Sequence, residues 1–113
     1  MLRIPNNKAH AAIRLREDFQ GSNLRGGATK WLPRVGALPS AQVRTLTADH
    51  ALARALGEEL YVVYSYATPI AWFAPSFGWV VPDVRYSQTT GRHQSRVRLG
   101  VAQYAASRER VSA

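Results

Sequence analysis

The densest group of chemically capable side chains lies late in the chain: Ser87, Thr89, Thr90, Arg92, His93, Gln94, Arg96 and Arg98. Hydroxyl, carboxamide, imidazole and guanidinium groups in one short stretch suit two kinds of chemistry. The first is anion recognition. Guanidinium is planar and forms paired hydrogen bonds to phosphate or carboxylate, and free amides at a helix start favour negative charge. Arg92 and Arg96 are four residues apart, so a helix stacks them one turn apart. The second is acid–base chemistry. His93 as general base beside a Ser or Thr nucleophile would need a third group to orient it. Asp83 and Glu58 are the acids that tertiary proximity would have to bring there. A metal-independent ribonuclease would call on the same residue types. The plainer alternative is that Thr89 or Thr90 caps a helix, His93 packs on its apolar face and the arginines are solvated.

Two tyrosines, Tyr64 and Tyr66, belong to the same question. If they lie beside the Thr/Arg/His group, their ring faces are available to bases or to a protein partner. The seven aromatics from Tyr61 to Trp79 also have the spacing of core and sheet-face residues. His10, His50 and His93 show no paired spacing, which argues against zinc. Gly26-Gly27 lacks the Lys-Ser/Thr that would make a phosphate loop. No cofactor is expected.

Charge points the same way. Fifteen Lys and Arg against seven Asp and Glu give +8, and thirteen of the fifteen are arginines. Such a balance attracts nucleic acid, acidic protein faces or anionic membranes, although a GC-rich genome also produces an arginine bias. Residues 84–113 carry six arginines against Glu109 alone, a net +5. Cysteine is absent, which excludes disulfide scaffolds, thiolate zinc sites and cysteine nucleophiles. Residues 60–82 carry no formal charge and are long enough to span a bilayer. Pro69, Pro75, Gly78 and the aromatic content favour strands and turns there instead. The start of the chain lacks the apolar run of a secretory signal, so a cytoplasmic protein without membrane association is expected.

The elements that must position these residues can be read from periodicity. With 113 residues, 46% of them hydrophobic, the chain suits one domain. Residues 7–16 predict a short helix with Asn7 as cap. Residues 19–24 suggest a short strand or turn, and the Gly- and Pro-rich segment 26–40 reads as a loop carrying Trp31. Thr47 would cap a helix over 48–56, with Ala48, Leu52, Ala55 and Leu56 as its apolar stripe and Gly57 as its stop. Residues 60–67 are apolar on both alternating faces, the mark of an interior strand covered above and below. Thr68-Pro69 breaks it, and residues 70–73, 78–81 and 84–87 complete a four-stranded meander. A last helix over 89–104 places His93, Val97, Val101 and Tyr104 on one face. The expected fold class is α+β, an antiparallel meander with that helix packed on one side. Residues 1–59 form the helical and loop part, 60–107 the core and 108–113 a frayed tail.

Two blocks, Tyr64-Ser65-Tyr66-Ala67-Thr68-Pro69-Ile70-Ala71 and Tyr86-Ser87-Gln88-Thr89-Thr90-Gly91-Arg92-His93-Gln94, flank the strand of Trp79. Together they resemble a family of small uncharacterised bacteriophage proteins, mainly from phages of actinobacteria. The resemblance covers about a third of the chain strongly and implies a host- or genome-directed role without naming a reaction. The expected partner is nucleic acid or a nucleoprotein, reached through Arg92, Arg96, Arg98 and their polar neighbours. The alternatives are a binder of an acidic host protein, using the Trp31 loop and the Phe77 turn, and a small hydrolase centred on His93.

Overall fold

The computed structural model describes residues 2–112, with side chains as far as residue 108. The run that is apolar on both faces forms β4 (Leu60–Ser65), all six residues of which are buried. It lies inside a six-stranded sheet ordered β1 to β6 in chain sequence. The other strands are β1 (Leu2–Arg3), β2 (Phe19–Gln20), β3 (Leu24–Thr29), β5 (Thr68–Ala74) and β6 (Gly78–Val80). All neighbours are antiparallel except β1 and β2, which run parallel across α1 (Ala9–Leu15).

Strand alternation divides the core in two. Tyr61 and Val63 pack with Phe19, Leu24, Ile13 of α1 and Val97 of α3 (Gln88–Ser112). Leu60, Val62 and Tyr64 pack with Trp72 and with Leu46 and Ala53 of α2 (Ser40–Ala55). The fold class is α+β as expected, but helices cover both faces of the sheet rather than one. Among the described residues no helix is long and apolar enough to cross a membrane. The uncharged stretch is β4, β5 and β6.

Several local expectations are corrected. Gly26-Gly27 is strand, not loop. A Cβ at Gly26 would come within 2.6 Å of both Phe19 Cε1 and the Tyr61 hydroxyl, so glycine there permits close packing. β5 runs through Thr68-Pro69 without a break. β6 pairs only with Trp72–Ala74, so the missing Pro69 amide leaves no ladder bond unmade. Residues 84–87 form no strand. The segment is irregular and pinned by Gln94 Nε2, which donates to the Val84 carbonyl at 2.8 Å.

α2 begins at Ser40, and the Thr47 hydroxyl donates back to the Val43 carbonyl from within the helix. Its inward residues are Leu46 and Ala53, seven apart, whereas Ala48, Leu52, Ala55 and Leu56 are exposed. Gly57, at φ 71°, does stop it as expected. Asn6–Lys8 forms a 3-10 turn before α1, so Asn7 is not its cap. α3 turns His93 and Val97 inward as expected, with Val101 and Tyr104 half-buried behind them, and continues to Ser112. At Gly100 a Cβ would sit 2.8 Å from Ile13 Cγ2, which sets how closely α1 and α3 approach.

Candidate anion-binding site

Ser65 closes β4 and turns its hydroxyl toward α3. Ser87 caps that helix, its Oγ accepting from the Thr90 amide at 3.3 Å. Thr89 and Thr90, the expected caps, therefore lie within the first turn. This start of the helix places Thr90 Oγ1 2.9 Å and His93 Nδ1 2.6 Å from Ser65 Oγ. Across the ring, Asn6 Nδ2 stands 3.4 Å from His93 Nε2. The Asn6 amide is oriented by its Oδ1, which accepts from the Ser22 amide at 2.9 Å. Nδ2 can only donate, so Nε2 accepts, and the imidazole proton sits on Nδ1 facing Ser65.

That tautomer decides the chemistry. Ser65 receives a hydrogen bond from His93 instead of giving up its proton. Ser65 is 1% exposed and His93 3%, so neither ring nitrogen nor hydroxyl stands open to solvent, although His93 borders a neighbouring cavity. Burial also pushes the His93 imidazole below its ordinary value of 6.5, keeping it neutral. The acids are elsewhere. Glu58 accepts from Ser76 at 2.7 Å beyond the other end of the sheet, and Asp83 lines a groove with Arg98. Geometry thus makes His93 part of a sealed polar network joining β4, α3 and the 3-10 turn.

Outside the network lies a cavity of about 210 Å³, lined by Asn6, Asn7, Thr89, Arg92, His93 and Arg96. None of these residues is acidic. Arg92 is exposed and Arg96 half-buried, about 6 Å apart along the helix axis. Tyr66 does not line the cavity but adjoins His93, its ring centroid 6.0 Å from that of His93 at 41°. The residue occupies the first position of the β4–β5 turn at φ 56°, where a bulky side chain is rare. Its amide is held by the Asn23 carbonyl at 2.8 Å, and its side chain is 53% exposed.

The structure therefore gathers Thr89, Arg92, His93 and Arg96 at the cavity, with Tyr66 against His93 and with Ser87 and Thr90 behind. Three expected members are not there. Tyr64 lies on the α2 face of the sheet, where the Arg25 guanidinium stacks on its ring at 4.0 Å. Gln94 is buried and bonded to Val84. Arg98 projects about 120° around the helix from Arg92, into the groove of Asp83. Sequence reasoning missed Asn6, Asn7 and Ser65. The signal for Ser65 was present, since it is the lone hydroxymethyl side chain in an otherwise apolar and aromatic strand. Nothing local announced the two asparagines. Among the described residues no three His, Asp or Glu side chains converge as metal ligands.

Fold and site together define a small α+β protein with a sheet covered on both faces and a cationic cavity beside its last helix. A family model matches residues 13–112, and the chain belongs to that family, DUF8033, a family of unknown function. No curated protein and no solved structure matches the chain.

Proposed function

We propose that this protein is a small basic accessory protein that binds nucleic acid or a nucleoprotein through the start of α3. The single observation that carries this reading is the cavity into which Arg92 and Arg96 open together. Amide and hydroxyl groups surround it, no acid lines it, and the chain bears +8. Such a site takes a phosphate oxygen through charge-assisted hydrogen bonds. The resemblance of the Tyr64–Ala71 and Tyr86–Gln94 blocks to bacteriophage proteins makes a cytoplasmic, phage-type setting part of the proposal. The catalytic alternative lacks support, because the Ser65 hydroxyl and both His93 ring nitrogens are taken up in buried contacts and no acid adjoins them.

Fluorescence anisotropy of a labelled oligonucleotide across a salt series tests this. Log affinity should fall linearly with log salt, and the paired change Arg92→Ala with Arg96→Ala should reduce that slope by about 2. An unchanged slope would overturn the assignment. A second reading has its own observation: Trp31 is 75% exposed, with exposed Leu32 beside it, a surface suited to a host-protein partner. Phe77, expected to share that role, is half-buried against the α2-side core. A salt-insensitive protein complex, lost on Trp31→Ala and indifferent to the arginine changes, would favour this second reading.

A further inference from the structure

We infer that the strand bound at this site is single-stranded, with one base stacked on Tyr66 and its phosphate held by Arg92 and Arg96. This rests on the nucleic-acid reading above and specifies it. A phosphate-binding cavity alone does not distinguish duplex from single strand, because both present the same backbone. The neighbouring ring does.

Tyr66 is the exposed aromatic of this end of the molecule, while Tyr64 is buried beneath Arg25. Its ring is adjacent to His93, and His93 lines the cavity with Arg92 and Arg96, so one imidazole separates an exposed ring from two guanidiniums, a span within reach of a single nucleotide. The turn fixes the backbone that carries that ring: φ is 56°, the amide is tied to Asn23, and Ser65 before it is anchored to His93 and Thr90. An exposed tyrosine held by its backbone loses little freedom when a flat ligand settles on it. Bases in a duplex are stacked on one another, with no face to offer. An unpaired base has a free face, and aromatic side chains beside a cationic groove are how sequence-tolerant single-strand binding arises.

The test measures the intact protein against a labelled oligothymidylate and a labelled duplex of equal length, at one low salt concentration. Wild type should bind the single strand more tightly. Tyr66→Ala should lower affinity for oligothymidylate about 5- to 150-fold, the span of one lost base–aromatic stack, and leave duplex affinity unchanged. Tyr66→Phe, which keeps the ring, should bind as wild type does. Tyr66→Gly suits the left-handed backbone and removes the ring, so it supplies the same measurement should Tyr66→Ala fold poorly. Equal loss on both probes, or no loss on either, overturns base stacking and leaves phosphate binding standing. A wild-type protein that binds neither probe overturns the nucleic-acid reading and this inference with it.

Discussion

The two faces of the sheet each hold a helix by a buried polar contact, and the contacts differ in kind. On the α2 face Trp72 Nε1 donates to Asp49 Oδ2 at 2.8 Å, one bond from a buried indole to a half-buried carboxylate. On the α1/α3 face Ser65, Thr90, His93 and Asn6 form a chain of neutral groups joining three segments. A single charge-assisted bond sets the position of α2, and losing it strands two atoms. The neutral chain fixes the start of α3, the tautomer of His93 and the end of β4 together, so losing one member strands several. The cationic cavity is built against the second arrangement. No group lining it carries a charge that would neutralise its guanidiniums.

The largest effect expected from breaking this contrast is His93→Ala. It takes from Ser65 and Asn6 the ring nitrogens they contact and opens a void, at a cost of about 3 kcal/mol. The midpoint of urea unfolding reads it, and a loss below about 1 kcal/mol would mean the network does not tie α3 to the sheet. Trp72→Phe comes next. Losing the indole N–H and some volume should cost about 2 kcal/mol in the same assay, less than the histidine change. The opposite ranking would invert the comparison between the faces.

The smallest expected effect is a pH dependence confined to the neutral network. Burial holds the folded-state value of His93 below the ordinary 6.5, so on acidification the unfolded chain takes up a proton first. Stability should therefore fall as pH drops from 6.5 toward the folded-state value, and rise again on return. Thermal melts at neutral and mildly acidic pH measure this. Its part due to His93 should vanish in His93→Gln, and an acid-stabilised wild type would contradict the assigned tautomer and burial.

Much of the frame was legible because it depends on local pattern. Apolar residues on both faces of 60–65 require cover on both sides, whatever supplies it. The spacing of His93, Val97, Val101 and Tyr104 requires one inward helix face. Elsewhere the pattern allowed more than one answer. α2 has two candidate apolar stripes, and the one expected, through Leu52 and Leu56, points outward. Leu46 and Ala53 were chosen by the shape of the sheet beneath them, which no helical window contains. Gly26-Gly27 has the composition of a loop. Only the placement of Phe19 and Tyr61 shows that a strand without side chains was required there.

Tyr64 and Tyr66 show the same limit at the site. Two residues apart, they would share one face of a continuous strand. Tyr66 instead leaves the strand in a left-handed turn, so its ring meets His93 while Tyr64 remains under Arg25.

Composition and periodicity alone determined the strong positive charge, the interior strand, the inward face of the last helix and the linked position of Arg92 and Arg96. These follow from residue type and from repeats a few residues long. Tertiary structure decided which tyrosine meets His93, that Asn6 and Asn7 complete the arginine cavity, and that His93 is buried with its proton toward Ser65. Those outcomes depend on contacts between residues far apart in the chain, where the packing of whole elements, and not local preference, sets what meets what.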